Sequence, residues 1–218
     1  MLYAENIIED VLRMYPCCKA WTIPFSFLDE QEKNFFNGFA SAFSTAIVIG
    51  HHITAKAEWK WYTDENNNEH CEADSHTGRV CGQLCQELEA NGFQAVTAPY
   101  PGESGLRFRF AARSAGAGDI GMNAFLLHPE WGPWIHLRIL ATDASSMANE
   151  ITRSKVCIAC GACISACPSN SIGAGSFNGL LCRSYRKAKG EYIPVGPERE
   201  LKYCTICADV CPVGGKPR

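Results

Sequence analysis

Cysteines at short, regular spacing are the residues of this chain best suited to chemistry. Residues 157–168 read CIACGACISACP, a C-x2-C-x2-C-x3-C-P run. In bacterial ferredoxins the first three cysteines of such a run hold one 4Fe-4S cluster, and the fourth ligates the other cluster. A second group, CTICADVCP at residues 204–212, lacks one cysteine of this run. Cys182 stands 22 residues before Cys204 and can supply it.

These eight cysteines predict two 4Fe-4S clusters with crossed ligation. The ligands of the first cluster are Cys157, Cys160, Cys163 and Cys211. The ligands of the second are Cys167, Cys182, Cys204 and Cys207. Two structural zinc sites are the alternative, because zinc also uses C-x2-C pairs, but a Cys-Pro end on both groups is typical of iron–sulfur proteins. With only 68 residues in 151–218, we expect the clusters to contribute much of the stability there.

Five further cysteines lie outside this pattern. They are Cys17, Cys18, Cys71, Cys81 and Cys85. Cys81 and Cys85 share one face of a predicted helix, which favours packing as buried free thiols. A third metal site with His70, Cys71 and His76 is the alternative. No secretion signal precedes the thirteen cysteines, so metal binding in a reducing compartment is favoured over disulfides.

A glycine-rich stretch, GAGDIG, matches G-x-G-x-x-G through Gly116, Gly118 and Gly121. A dinucleotide-binding site requires a strand before this motif and a helix after it. Here the residues before it have a helical pattern and those after it resemble a strand, which argues against nicotinamide binding. Two interpretations stay open: a loop whose backbone approaches a phosphate or a flat cofactor, and a tight turn packed on a sheet.

Composition excludes some classes of function. The net charge of the chain is -3, yet residues 151–218 carry 10 Lys and Arg against 4 Asp and Glu. Two clusters with thiolate ligands would each add about -2, which cancels most of this excess and argues against nucleic acid as a partner. No apolar run approaches the roughly 18 residues of a membrane span. We therefore expect a soluble, cytoplasmic chain without membrane contacts.

Hydrophobic periodicity predicts a mixed α and β organisation. Helices are expected near 4–15, 30–43, 79–92 and 106–114, and strands at 45–53 and 93–98. The polar residues 62–78 are predicted to form a loop. Two apolar runs around Pro129, Gly132 and Pro133 predict a hairpin. The polar stretch 145–155 is the expected domain boundary.

The segment RSAGAGDIGMNAFLLHPEWGPWIHLRILATD, followed by the eight cysteines in this order, resembles the epoxyqueuosine reductases and, more distantly, the reductive dehalogenases. The similarity extends over roughly residues 95–218. It implies an α/β (α+β) fold, with a nitroreductase-like domain at 1–150 that binds base-off cobalamin and a bacterial ferredoxin-like domain at 151–218. It also implies that the cofactor pocket includes Gly116, Gly118, Gly121 and Asn123, supported by a hairpin of Phe125–Leu127 and Trp134–Ile139.

The chain departs from this family where an acid is expected. Epoxyqueuosine reductases have a proton-donating Asp in a DSAP-like segment, whereas this chain reads VTAPYPGE, with Thr97 or Ala98 at that position. Tyr100 and Glu103 are the candidate replacements, so the resemblance leaves queuosine chemistry open. The chain also lacks the family's C-terminal helical-repeat extension and is expected to be a minimal member.

Three functions follow as hypotheses. The first is an anaerobic iron–sulfur reductase that passes electrons through both clusters to cobalamin and on to a small-molecule substrate. The second is an electron-transfer protein or a reductive activator of a separate corrinoid protein, and the third is a flavin-dependent reductase. The electron donor would be a ferredoxin or flavodoxin, whose acidic surface suits the basic residues Arg183, Arg186, Lys187 and Lys189. The alternative is that these four residues form a solvated surface. A homodimer is also possible on the sequence alone.

Overall fold

The computed structural model describes residues 4–66, 68–100, 105–146, 155–188, 192–195, 198–201 and 203–217. Helices and strands alternate along these residues, which confirms the mixed α/β fold class. None of the helices within the described residues is long and apolar enough to cross a membrane.

The elements are numbered in chain order. The helices are α1 (Ala4–Leu12), α2 (Glu30–Phe39), α3 (Glu72–Ala90), α4 (Phe108–Ser114), α5 (Ala162–Ala166), α6 (Gly179–Ala188) and α7 (Ile206–Asp209). The strands are β1 (Cys18–Pro24), β2 (Thr45–His52), β3 (Trp61–Thr63), β4 (Glu69–Cys71), β5 (Ala95–Thr97), β6 (Asp119–Ile120), β7 (Leu126–Leu127), β8 (Ile135–Thr142), β9 (Ile172–Gly173), β10 (Ser176–Phe177), β11 (Tyr192–Val195) and β12 (Glu198–Leu201). Short 3-10 helices lie at Phe25–Phe27 and Lys56–Trp59.

The chain divides into two compact units. The first consists of Met1–His52, His76–Gly118 and His136–Ser154, and the second of Ile53–Ser75, Asp119–Ile135 and Lys155–Arg218. A domain boundary near residue 150 stays a prediction. The second unit contains Ile53–Ser75 and Asp119–Ile135 together with the cysteine region. Strands β3 and β4 share a sheet with β11 and β12, and Trp134 shares a core with Ala208.

The first unit is built on a sheet of order β1-β2-β8-β5. Helix α1 buries Ile7, Ile8 and Val11, the i, i+1 and i+4 positions of one apolar stripe. The predicted stripe of α3 is also buried, and both helices share one core with β2. Amphipathic periodicity therefore identified the helices that cover this sheet.

The second unit contains an antiparallel sheet of order β11-β12-β3-β4 and the two-stranded sheets β6-β7 and β9-β10. Trp134 is 1% exposed and lies in a core cluster with Ile53, Cys71 and Ala208. Trp59 packs edge-on against Trp134, with 5.5 Å between ring centroids. An aromatic core thus contacts α7, the helix that carries Cys207.

Two predicted elements were wrong. Residues 62–78 are not a loop: they include β4 and the first turns of α3, and β3 begins at Trp61. β3 pairs with β12, about 140 residues further along the chain, and local sequence patterns carry no signal for such a pairing. The predicted hairpin of Phe125–Leu127 with Trp134–Ile139 is wrong as a pair of strands, because β7 pairs with β6, and β8 pairs with β2 and β5. At the predicted turn, His128 and Gly132 form an isolated antiparallel bridge.

A buried ion pair joins α2 to the residue before α4. The Glu32 carboxylate, whose side chain is 0% exposed, accepts hydrogen bonds from Arg107 Nε at 2.7 Å and Nη2 at 3.0 Å. We expect Arg107→Ala to lower the free energy of unfolding by about 3–5 kcal/mol, because it leaves a buried carboxylate without its partner. Chemical denaturation checks this. The matched control, Arg13→Ala, breaks an exposed pair with Asp10 and should change stability by less than about 1 kcal/mol.

Candidate iron–sulfur centre

The loop that carries the first three cysteines curves tightly around a common volume. Ala159 and Gly161 both have left-handed backbone conformations, with φ of 53° and 76°. Gly161 is the N-cap of α5, the short helix that contains Cys163. Two left-handed residues within seven positions bend the backbone sharply. Cys157, Cys160 and Cys163 consequently line a single cavity.

The predicted fourth ligand of this set lines the same cavity. Cys211, about 50 residues further along the chain, lies there with the three loop cysteines. Burial raises the pKa of the Cys163 thiol, and the thiolates of the other three members raise it further. Burial likewise raises the pKa of Cys211, with contributions from Cys160 and Cys157. The structure brings together the four residues that the sequence assigned to the first cluster.

The four cysteines of the second predicted set also lie near one another. Burial raises the pKa of Cys207 to about 12, and the largest further contributions come from the other three members, Cys204, Cys182 and Cys167. Burial raises the pKa of Cys182 as well; Arg186 opposes this, while Cys204 and Cys167 add to it. The charge of Cys163, a member of the first set, also raises the pKa of Cys207. The two sets therefore lie next to each other within the second unit.

Hydrogen bonds surround Cys167. Burial would raise the pKa of this thiol, but bonds from Ser169, Ser171 and the Ile172 backbone outweigh it and lower the pKa. The Ser171 N–H donates to Cys167 Sγ at 3.4 Å, and the Ser169 hydroxyl lies 3.3 Å from the same atom. Hydrogen bonds to ligand sulfurs are one of the factors that set cluster potentials. Sequence patterns had not identified either serine.

Zinc sites and 4Fe-4S clusters differ in how closely their ligands must approach one another. A zinc ion requires four ligand atoms about 2.0–2.3 Å from one point. Among the described residues, no three Cys, His, Asp or Glu side chains converge closely enough to hold one metal ion. A 4Fe-4S cluster has one thiolate for each of its four irons, so its sulfurs stand further apart than zinc ligands.

The glycine-rich stretch links α4 to β6. Gly116, with φ of 82°, ends α4: its N–H donates to Arg113 O, and the next N–H donates to Ala112 O. These are the two bonds of a Schellman cap, which favours glycine at this position. Gly118 lies directly before β6. A Cβ on Gly121 would lie 2.6 Å from Asn123 Oδ1 and 2.8 Å from Leu127 Cδ1, so any larger residue would displace these side chains.

Asn123 connects this stretch to the cysteine region. It is 5% exposed; its Nδ2 donates to the Cys207 carbonyl at 3.3 Å, and its Oδ1 accepts from the Phe125 N–H at 3.2 Å. Met122 and Leu127 line the cavity of the first cysteine set beside Asn123. The sequence motif had suggested Asn123 but gave no reason to single out Met122 or Leu127.

We expect Asn123→Ala to lower the free energy of unfolding by about 2–3 kcal/mol, because it leaves a buried N–H and a buried carbonyl without partners. Thermal unfolding of the iron-loaded chain checks this. Asn91→Ala, which removes an exposed bond to the Glu87 carbonyl, is the control and should change stability by less than about 0.5 kcal/mol. Unchanged stability of Asn123→Ala would show that this side chain does not position the Cys207 loop.

The structure describes one of the two candidate proton donors. The Tyr100 ring packs edge-on against Phe108 and lies parallel to His136, and the Arg138 guanidinium is 4.7 Å from its centroid. Glu103 lies outside the described residues. Both donors stay predictions.

The five other cysteines are free thiols. Cys18, Cys71 and Cys81 are buried, Cys85 is half-buried and Cys17 is exposed. Burial and the neighbouring Cys17 raise the pKa of Cys18 to about 11, so its thiol stays protonated and unreactive at neutral pH. Packing remains the interpretation of the buried members.

Comparison with known proteins is consistent with this site. Residues 156–214 match the family model of the 4Fe-4S double cluster binding domain. The epoxyqueuosine reductase of Listeria monocytogenes is 32% identical over 107 residues, 46% of this chain and 28% of that protein. The enzyme of a Synechococcus strain is 33% identical over 150 residues, 66% of this chain and 45% of that protein. The chain thus matches less than half the length of these curated relatives.

Solved structures extend the similarity to the fold. The epoxyqueuosine reductase of Bacillus subtilis, whose catalytic Asp loop is swung out of the active site, matches with a TM-score of 0.70 and 16% identity over 95% of this chain and 64% of that one. The chain resembles the epoxyqueuosine reductases. A second epoxyqueuosine reductase, bound to an epoxyqueuosine-modified tRNA stem loop, matches with a TM-score of 0.71 and 15% identity. A reductive dehalogenase described for B12-dependent dehalogenation matches with a TM-score of 0.56 and 18% identity over 78% of this chain and 26% of that one.

These findings confirm the predicted resemblance and the predicted fold class. They also support the prediction of two 4Fe-4S clusters, because the matched domain model binds a double cluster. The eight individual ligands remain predictions. Residues 156–214 thus match a domain that binds two 4Fe-4S clusters, and the chain resembles the epoxyqueuosine reductases.

Proposed function

We propose that the chain is an iron–sulfur reductase whose two clusters pass electrons to a cobalamin bound beside the glycine-rich stretch. One observation carries this proposal. Met122, Asn123 and Leu127, which directly follow the glycine motif, line the same cavity as the four cysteines of the first set. Electrons leaving that cluster would thus meet, at this cavity, the residues that directly follow Gly121 in the chain.

The residues at the end of α4 fit a bound cofactor. Ser114 is 1% exposed, and its hydroxyl has no hydrogen-bond partner among the described residues. A buried hydroxyl without a partner costs about 1–3 kcal/mol, so a cofactor that bonds to it would remove this cost. Ser114, Gly116 and Gly118 would therefore hold the cofactor. When bound, cobalamin supplies a reducible cobalt, and the similar reductive dehalogenase is associated with B12-dependent dehalogenation.

The substrate depends on which residue donates the proton. Thr97 and Ala98 stand where the epoxyqueuosine reductases have their acid; the Thr97 hydroxyl lies 3.9 Å from Cys85 Sγ, and Ala98 is 1% exposed. Neither residue can donate a proton as a carboxylic acid does. We propose a small molecule as substrate, with Tyr100 or Glu103 as the donor. The tRNA complex of a relative argues against excluding nucleic acid, so a modified RNA stays a second substrate class.

Two alternatives follow from the same site. If the glycine-rich stretch holds no cofactor, the two clusters make the chain an electron-transfer protein or an activator of a separate corrinoid protein. The two structural reasons for glycine at Gly116 and Gly121, a helix cap and close packing, favour this alternative because neither requires a cofactor. A flavin in place of cobalamin is the remaining alternative.

Anaerobic titration of the iron-loaded chain with cob(II)alamin tests the proposal. We expect about one cobalamin to bind per chain, with an electron paramagnetic resonance signal of base-off cobalt. Ser114→Ala should weaken binding about tenfold, which corresponds to one lost hydrogen bond. The control, Ser75→Ala, removes an exposed hydroxyl that bonds to the Cys71 carbonyl and should leave binding unchanged. A cobalt signal identical to that of free cob(II)alamin would contradict the proposal. Binding of flavin instead would establish the flavin-dependent reductase.

A further inference from the structure

An apolar surface lies beside the second cysteine set. Leu180 and Leu181, in the first turn of α6, are 75% and 48% exposed, and Phe177 before them is 39% exposed. Together with Arg183 these residues line an open groove beside the β9-β10 hairpin. We call Phe177, Leu180, Leu181, Arg183 and Lys187 the α6 patch. Large exposed apolar side chains grouped in this way mark interaction sites.

The α6 patch carries positive charge. Residues 155–188 contain four cations, Lys155, Arg183, Arg186 and Lys187, and no Asp or Glu. Arg183 and Lys187 are exposed. Leu180, Arg183 and Lys187 stand at i, i+3 and i+7, so one face of α6 presents a leucine followed by two cations. An apolar centre with a charged rim is the usual arrangement of a protein interface.

The opposite face of α6 points to the cysteine set. Cys182 is two positions, about 200°, from Leu180 around the helix. Beyond burial, the charges of the Cys204 and Cys167 thiolates raise the pKa of Cys182. Cys182 therefore lies on the face of α6 that is turned to the second cysteine set. The Asn178 side chain accepts hydrogen bonds from the Leu180 and Leu181 N–H groups at 3.1 Å and caps the helix. A capped helix thus holds a predicted cluster ligand on one face and the α6 patch on the other.

We propose that the α6 patch is the docking site of an acidic one-electron carrier protein of the ferredoxin class. This inference rests on the proposed function, because it requires the cluster of Cys182. In the transfer, the carrier loses one electron and is oxidised, and the cluster accepts that electron and changes from its 2+ to its 1+ state. No bond forms or breaks, and no further reactant is needed.

Charge and polarity favour this occupant over RNA. Interfaces with nucleic acid are markedly polar and strongly basic, whereas the centre of the α6 patch is Leu180, Leu181 and Phe177. Encounters between electron-transfer proteins are small and weak. Complementary charges steer such partners together and increase the association rate by about 10- to 1,000-fold. A carrier with a negative surface around its redox centre fits both the cations and the size of this patch.

Reduction of the iron-loaded chain by a reduced, acidic plant-type 2Fe-2S ferredoxin tests the proposal in a stopped-flow instrument. We expect Arg183→Glu/Lys187→Glu to reduce the second-order rate constant at least about tenfold at low salt and to flatten its salt dependence. Leu180→Gln should slow reduction without changing the salt dependence. The matched control, Arg13→Glu/Lys33→Glu, reverses one charge directly after α1 and one on α2 and should leave the rate unchanged.

Dithionite, which needs no docking surface, separates this proposal from the proposed function. Every variant should keep its iron and be reduced by dithionite as the wild type is. An unchanged rate with ferredoxin in a variant that dithionite reduces normally would overturn the docking site alone. The same would follow if the charge reversal abolished binding of an RNA stem loop or dissociated a dimer while the ferredoxin rate stayed constant. A wild-type chain that forms no reducible clusters would overturn both proposals.

Discussion

Replacing Cys157 and Cys211 together by alanine should remove one cluster, whereas replacing Cys157 and Cys204 together should remove both. The reason is crossed ligation. Cys211 lines the cavity of the first set although it is separated from Cys207 by only three residues, and Cys204 is coupled to Cys182 and Cys207 of the second set. Starting from about eight irons per chain, the first variant should keep about four and the second should keep almost none.

Iron and acid-labile sulfide, measured after anaerobic reconstitution, check this prediction. Cys182→Ala, with one ligand of the second set removed, should keep about four irons. The matched control, Cys17→Ala/Cys85→Ala, removes two cysteines outside both sets and should keep all of the iron. If Cys157→Ala/Cys211→Ala lost as much iron as Cys157→Ala/Cys204→Ala, each cluster would be ligated within one sequence group and the crossed assignment would be wrong.

Gly214→Ala should release the cluster held by Cys211. Gly214 follows that cysteine by three residues and has φ of 72°. A Cβ at this position would overlap the Gly132 backbone nitrogen, and one on Gly132 would overlap the Val213 carbonyl oxygen. Neither backbone can move aside as a flexible side chain would. The segment must therefore shift away from the turn at Gly132, which would also break the hydrogen bond from Gly215 N–H to Glu130 O.

We expect Gly214→Ala to lose about four irons and to lower the free energy of unfolding by more than about 3 kcal/mol. Substitutions at two other glycines distinguish backbone strain from the close approach of two backbones. Gly175→Ala introduces a left-handed alanine in open space and should cost only about 1 kcal/mol; Gly215→Ala has neither constraint and should retain both iron and stability. Equal losses in Gly214→Ala and Gly175→Ala would attribute the effect to backbone conformation rather than to the close approach.

The cysteine sets could be predicted from the sequence because ligand spacing is a local property. Three thiols within seven residues can share one cavity only if the loop bends sharply, and the left-handed Ala159 and Gly161 provide that bend. The distant ligands Cys182 and Cys211 followed from the rule of crossed ligation in ferredoxin runs. Amphipathic helices such as α1 and α3 were predictable for a similar reason, since their apolar residues lie a few positions apart.

Most of the missed features depend on contacts between residues that are distant in sequence. β3 is a short strand of Trp61–Thr63, and its partner β12 lies about 140 residues further along the chain. The partner of β7 is β6 rather than the longer apolar β8, a choice set by the turn at Gly121 and Ala124. Asn123 stood out in the motif, but its contact with the Cys207 carbonyl required the folded chain. The close approach of Gly132 and Gly214 is likewise a tertiary feature.

The most direct test of two clusters in this chain is the metal and sulfide content of the anaerobically reconstituted wild-type protein. Iron, zinc and acid-labile sulfide are measured in one sample, and the reduced protein is examined by electron paramagnetic resonance. We predict about eight irons and eight sulfides per chain, no zinc, and signals of two interacting 4Fe-4S clusters. About two zinc ions per chain without labile sulfide would contradict the account, because no electrons could then pass through the cysteine sets.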